Sequence, residues 1–363
     1  MDINITTGFD YEGLAGSELL DANIVETLNQ MDVLPEYKGY KEMLSFTNTP
    51  IINPDQKYGA RYSNGGLDKK DERGNKKERG INFGPKKGIY QQVYSNKFSI
   101  TEDLTEWIRS SNTIEGAPQG IQADFVDISE QVKDLVLGYD ITYADLLSRV
   151  YTEGFDITAA EGPWSPTAKG VKLFGTHTLN NGDTFSNLIS ANVDYSDIET
   201  GVTRLQDALN LHKQVKLDNG RKMRQPGSVG YDLMVPRIRE TFWRKVMNNG
   251  NTQSGLGSNS AQENQFLFDN NIVNLKVMDN LGDFCQETQE IIGGTDADNM
   301  FFVTNPRYLE QEKALKCYEL YQPKVKTWMN DDTDEIFTSL KCSIGADHYY
   351  AEYGIVGGKT GTN

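Results

Sequence analysis

The chain has 363 residues, 37% of them hydrophobic and 24% charged, which is enough to bury one large or two to three small cores. Its net charge is −16, and no apolar run approaches the roughly 20 residues that would span a bilayer, so no membrane segment is expected. Three cysteines (Cys285, Cys317, Cys342) and three histidines (His177, His212, His348) are too scattered for a zinc site or a disulfide framework. Met1-Asp2-Ile3-Asn4 lacks a basic region followed by an apolar stretch. No secretory signal is expected, and the chain is expected to be made and used in a cytoplasm.

Residues 1–42 read as an extended arm. Its first 37 residues hold eight acids and no Lys or Arg. Ser17 is placed to cap a short helix over Glu18–Gln30, where Leu19, Leu20, Ile24, Val25 and Leu28 recur at helical spacing. So narrow a stripe needs a larger surface to lie on.

Residues 43–100 read as a long hairpin with a polar tip between Asn64 and Gly80. Tyr90, Tyr94, Phe98 and Ile100 share one face of its return strand. From Lys57 to Gly88 there are ten Lys or Arg and four Asp or Glu, a local net of +6 that leaves −22 for the rest of the chain. Such asymmetry suggests that one part of the chain contacts another, or the same surface on a neighbouring copy. The candidate contact residues are Lys69, Lys70, Arg73, Lys76, Lys77, Arg79, Lys86 and Lys87.

A helical stripe follows: Phe125, Ile128, Val132, Leu135, Tyr139, Tyr143, Leu146 and Val150. Continuous, it would span about 39 Å. Gly138 and the Ile141-Thr142 pair weaken its middle and predict a kink. Residues 154–198 are loop-rich. Val202, Leu205, Leu209 and His212 mark an amphipathic helix, and Asp218-Asn219-Gly220 a tight hairpin. Asp232–Val235 reads as a strand, with Pro236 opening a helix to about Met247. Strands are further predicted over Ile272–Leu281, Asn299–Thr304, Ile336–Ile344 and Tyr349–Val356, with a flexible loop over 250–264.

Motifs that carry chemistry are incomplete. Gly357-Gly358-Lys359-Thr360 half-matches a phosphate loop, but Tyr353 stands where the first glycine belongs, and too few residues follow for the required helix. Lys359-Thr360-Gly361 lacks its Ser-x-x-Lys and Ser-Asp-Asn partners. Asp331-Asp332-Thr333-Asp334-Glu335 misses the calcium-loop pattern and reads as a solvated turn. His177 has no nucleophile or carboxylate close in sequence and is expected to serve as a structural hydrogen-bonding residue. An acidic arm, and a basic stretch confined to a loop containing four acids, argue against direct condensation of a genome by charge. No catalytic residue, metal ligand or cofactor is expected.

The order of elements resembles the major capsid proteins of tailed bacteriophages, the Hong Kong 97-like capsid fold. Tyr94-Ser95-Asn96-Lys97-Phe98-Ser99-Ile100-Thr101-Glu102-Asp103-Leu104 looks like the stretch where that family's E-loop returns. Leu173-Phe174-Gly175-Thr176-His177, followed by Phe185-Ser186-Asn187-Leu188, is similar to a run in Mu-type head subunits, as is Leu233-Met234-Val235-Pro236-Arg237. The resemblance is clearest over about 90–305. It implies an α+β fold with an N-terminal arm (1–42), E-loop (43–100), peripheral domain with a spine helix (101–198), axial domain (199–322) and a return to the peripheral domain (323–363). It further implies self-assembly as hexamers and pentamers into a head shell around double-stranded DNA, without sequence-specific binding. Portal, scaffolding and decoration or cement proteins would be the partners. The place would be the virion, assembled in the host bacterial cytoplasm. An encapsulin-type compartment shell shares that fold and is the nearest rival. A metal-dependent soluble α/β enzyme is the rival of a different class.

Overall fold

The computed structural model describes residues 43–50, 57–61, 83–88, 92–101, 138–139, 141–144, 146–155, 167, 169–179, 182–217, 222–248, 273–278, 299–330 and 335–359. Their strands in chain order are β1 (Thr47–Pro50), β2 (Lys57–Arg61), β3 (Phe83–Gly88), β4 (Gln92–Thr101), β5 (Thr176–Thr178), β6 (Thr184–Ser186) and β7 (Leu188–Ile189). There follow β8 (Tyr231–Pro236), β9 (Val273–Met278), β10 (Met300–Thr304), β11 (Leu315–Asn330), β12 (Glu335–His348) and β13 (Ile355–Lys359). The helices are α1 (Ile198–Gln214), α2 (Glu240–Asn248) and α3 (Pro306–Glu312). Residues 138–139, 141–144 and 146–152 are helical as well, the part of the long helical stripe that falls within the described residues. The arm at 1–42, the loop at 250–264 and the acidic turn at 331–334 lie outside them.

Two compact units divide the chain. One takes the described residues within Gln91–Ala144 and Tyr318–Ile344, the other those within Lys41–Tyr90, Asp145–Cys317 and Gly345–Asn363.

In the first unit β4 and β12 are antiparallel partners, from Gln92 opposite Ile344 to Thr101 opposite Glu335. β11 flanks β12 on its other side. Thr338, Leu340, Cys342 and Ile344 are buried, while Ser95, Lys97, Ser99 and Lys341 on the opposite face are exposed. That two-residue period is what a sheet covered on one side demands, and it is why the alternation was legible in the sequence. On the open face Trp328 stacks on Phe337 at 5.6 Å between ring centres, with the Lys97 ammonium 5.4 Å from the Phe337 ring.

The second unit is built on a five-stranded sheet of order β7-β13-β10-β8-β9. β10 is antiparallel to β13 and β8, while β8 with β9 and β13 with β7 are parallel. Every residue of β8 and β10 is buried. Leu233, Val235, Phe301, Val303 and Val356 belong to one core with Val202, Leu205 and Leu209 of α1 and Trp243 and Val246 of α2. Phe302, next along β10, instead meets Tyr151, Phe155 and Phe174, with centroids 5.3–5.9 Å away. Burial on both faces replaces alternation by a continuous apolar run, Met300-Phe301-Phe302-Val303.

α1 starts where Asp197 accepts from Glu199 N at 3.1 Å and from Thr200 Oγ1 at 2.6 Å. The Asp-Asn-Gly turn itself is outside the described residues, but Lys216 and Lys222 on either side of it form an antiparallel bridge.

Two expectations are corrected and one gap is filled. Pro236 does not open a helix: it ends β8 in extended geometry (ψ 150°), and a 3-10 turn at Arg237–Arg239 precedes α2. Tyr349–Val356 is not one strand, because Tyr350 adopts φ 56° and Ala351–Tyr353 form a 3-10 turn before β13. The segment between Thr304 and Ile336, unassigned from sequence, holds α3 and the sixteen-residue β11. Asn305 caps α3 by accepting from Tyr308 N at 3.2 Å, with Pro306 as the first helical residue.

The half phosphate loop is strand. Gly357 lies against Phe174 and Phe155, and Gly358 against the Phe301 ring, so that a Cβ at either position would enter an aromatic side chain. Gly358→Ala should therefore lose at least about 1–3 kcal/mol of stability by overpacking. Gly138→Ala, where the nearest atom to a new Cβ is 4.0 Å away, should be neutral or gain up to about 1 kcal/mol from helix propensity. Urea unfolding of both variants beside the parent checks the contrast.

Candidate functional site

Of the eight basic residues singled out, the structure describes the backbone of two. Lys86 and Lys87 lie on β3, opposite Gly59 and Tyr58 of β2 in an antiparallel pair whose register shifts between Gly59 and Arg61. The hairpin expected over 43–100 thus pairs with itself only here; its return strand, β4, pairs with β12 instead. Lys69, Lys70, Arg73, Lys76, Lys77 and Arg79 lie outside the described residues. No cluster of three or more His, Cys, Asp or Glu suited to a metal occurs among the described residues.

The root of this loop is tied down by four side chains that sequence reasoning did not single out as site residues. Lys276 Nζ on β9 donates to the backbone oxygen of Met43 at 2.9 Å and pairs with Asp232 Oδ2 of β8 at 2.8 Å. Asn274 Nδ2 donates to the other Asp232 oxygen at 3.2 Å. Tyr151 OH donates to the backbone oxygen of Leu44 at 2.8 Å, and its ring meets Phe46 edge-on. Burial, and next the charge of Asp232, push the Tyr151 phenol well above its ordinary range, so it stays a proton donor at any working pH. Between these anchors Ser45 holds φ 61°, a left-handed conformation that costs a non-glycine residue about 1–2 kcal/mol. The available signal was a charge inside an otherwise apolar strand: Asp232 in Tyr-Asp-Leu-Met-Val, and Lys276 in Val-Asn-Leu-Lys-Val-Met.

The Leu-Phe-Gly-Thr-His and Asn-Leu run converges on one fully buried side chain. Asn187 Oδ1 accepts from Gly175 N at 2.9 Å and from His177 Nε2 at 3.1 Å. Its Nδ2 donates to the backbone oxygens of Leu173, Glu352 and Ile355 at 2.9, 3.2 and 3.1 Å. The backbone joins in, with Asn187 N donating to Gly175 O and Gly357 N to Asn187 O. His177 Nε2 also donates to Leu173 O at 3.0 Å, and the ring stacks on Phe185. Burial, against these two hydrogen bonds, lowers the imidazole's pKa. His177 is thus a neutral structural donor, as expected from its setting in the sequence.

No family model matches the sequence, and no curated protein matches it. Solved structures do. The capsid of Ralstonia phage GP4 aligns over 88% of this chain and 87% of its own with 11% identity and a TM-score of 0.49. The capsid asymmetric unit of cyanophage Pam1 aligns over 89% and 87% with 13% identity and a TM-score of 0.43. A virus-like particle from Pyrococcus furiosus aligns over 93% and 96% with 12% identity and a TM-score of 0.43. The chain is similar to phage capsid subunits.

His212, like His348, is also a buried imidazole of the second unit. It sits on α1 beneath the sheet, donates Nε2–H to Val303 O of β10 at 2.8 Å and packs on the Tyr231 ring. Burial pulls its pKa from 6.5 down to about 4.

Two predictions follow from this geometry. Asn187→Leu would leave five side-chain hydrogen bonds without a partner in a dry interior, and should cost at least about 3 kcal/mol in urea unfolding. The unfolded chain protonates His212 through pH 6.5, whereas the folded chain does so only near pH 4. Its contribution to stability is therefore complete above pH 6.5 and declines as pH falls to about 4, by roughly 3 kcal/mol in all. His212→Gln, which keeps a donor for Val303 O, should flatten the unfolding free energy between pH 7 and pH 4.

Proposed function

We propose that the chain is the major capsid protein of a tailed bacteriophage, one subunit repeated as hexamers and pentamers in an icosahedral shell around double-stranded DNA. The observation that carries this reading is the order of parts along the chain. A paired basic hairpin, a helical segment, an α/β unit and a final pair of long strands follow one another as the sequence resemblance requires. The run that resembles Mu-type head subunits falls on the hub of the second unit, where Asn187 is buried.

On this reading residues 1–42 are the arm, 43–100 the E-loop, 101–198 the peripheral domain, 199–322 the axial domain and 323–363 the return. The loop carries +6 against −22 elsewhere, so loop and neighbouring surface attract when copies come together. Single exposed ion pairs contribute about 0–1 kcal/mol, and a shell repeats them many times. Lys69, Lys70, Arg73, Lys76, Lys77, Arg79, Lys86 and Lys87 are the contact residues proposed for the loop. The role is structural, with portal, scaffolding and decoration or cement proteins as partners, in a virion assembled in a bacterial cytoplasm.

Electron microscopy of the purified protein, alone and with its genomic neighbours, tests the reading. Closed shells or hexameric sheets are expected, and DNA-filled shells in the phage context separate a capsid from a compartment that encloses enzymes. A dispersed monomer in every condition would overturn it. Because charges are screened beyond about 10 Å at 0.1 M salt, assembly followed by light scattering should slow as salt rises. A rate indifferent to salt would remove the electrostatic part of the argument.

A further inference from the structure

We infer that Lys276, Asp232 and Tyr151 form a clamp on the turn at Met43–Phe46, fixing the direction in which the chain enters β1 and thereby the geometry with which copies join. The second half of this inference rests on the shell reading; the first does not.

The clamp grips backbone, not side chains. Lys276 and Tyr151 hold two consecutive carbonyls, Met43 O and Leu44 O, from two different elements, β9 and the 146–152 helical segment. Two anchors on adjacent peptides fix orientation as well as position, which a single contact does not. The bond from Lys276 is charge-assisted, and Asp232, itself buried at 3% exposure, holds the ammonium in place. Asn274 in turn orients the carboxylate.

The turn so held is not one the chain prefers. Leu44, Ser45 and Phe46 are buried, and Ser45 sits in the left-handed region without the freedom of glycine. Released from its anchors, this turn would relax. Directly beyond it, Asn48 Oδ1 accepts from Cys317 Sγ at 2.9 Å, where β1 meets β11.

The apolar cluster beneath α1 and α2 includes none of the three clamp residues, and of the three Tyr151 alone joins the aromatic packing, on Phe302. Lys276 and Asp232 are polar groups in strands otherwise made of apolar and amide side chains. A clamp explains why a lysine and an aspartate stand there.

The test uses the full chain with Tyr151→Phe, which removes only the hydroxyl, and with the double variant Lys276→Met and Asp232→Asn, which leaves no buried charge unpaired. Hydrogen exchange on the unassembled protein should show amides 45–49 exchanging about tenfold faster or more in either variant, with 231–235 and 300–304 unchanged. Equal exchange in parent and variants, or acceleration spread over the core strands, would overturn the clamp. Electron microscopy of the same samples should then show shells of one size for the parent and mixed or open products for the variants. Faster exchange with unaltered shells would overturn the geometric consequence alone. Failure of the parent itself to form shells would overturn the shell reading and that consequence with it, while exchange still decides the clamp.

Discussion

The amide of Asn187 is the interaction on which the second unit depends. A side-chain amide offers one oxygen and two N–H protons. Here the oxygen takes Gly175 N and His177 Nε2, and the nitrogen faces the carbonyls of Leu173, Glu352 and Ile355. Leu173, Gly175 and His177 come from the segment that runs into β5, Glu352 and Ile355 from the turn and start of β13, 165 and 168 residues after Asn187. An amide is the side chain that fits, because both signs of partner converge on it. Aspartate would bring an uncompensated charge toward three carbonyl oxygens, and leucine would satisfy none of them.

The sheet follows from that junction. Joining 173–177 to 352–357 places Phe174 against Gly357, and only a residue without a Cβ admits the ring so close. Phe174 then meets Phe155 and Phe302, which covers the face of β10 turned away from α1 and α2. Covered on both sides, the central strands are apolar throughout. The two lone charges on β8 and β9, Asp232 and Lys276, are accordingly paired with one another and not left in a dry interior.

This division explains what could be read from the sequence. β4 and β12 have one open face, so their alternation announced them, and α1 showed its stripe because only one side of it is buried. β8 and β10 were visible as short apolar runs between breakers. β11 was not, since Leu315–Asn330 mixes lysines with tyrosines and carries Pro323, a composition that reads as neither period. α3 had a usable signal in Asn305-Pro306, a cap followed by the residue that suits the first turn. Of the site, the charge of the loop was legible because charge is a property of composition. The root was not: Met43 and Leu44 are held through their backbone oxygens, and a backbone acceptor leaves no mark on residue identity.

Charge and geometry thus have separate tasks in the proposed assembly. Attraction between a basic loop and an acidic remainder is long-ranged and weakly directional, so it brings copies together without choosing the angle between them. Angle needs short, oriented contacts, and those at Met43 and Leu44 lie inside one subunit, formed before any neighbour arrives. A segment whose direction is already fixed loses less conformational freedom on docking than one that must be ordered by the partner. Repetition around a closed shell magnifies that difference, because a small angular error at each contact accumulates until the surface fails to close. In the proposed assembly the ion pair that joins β8 to β9 therefore also points the chain that enters β1.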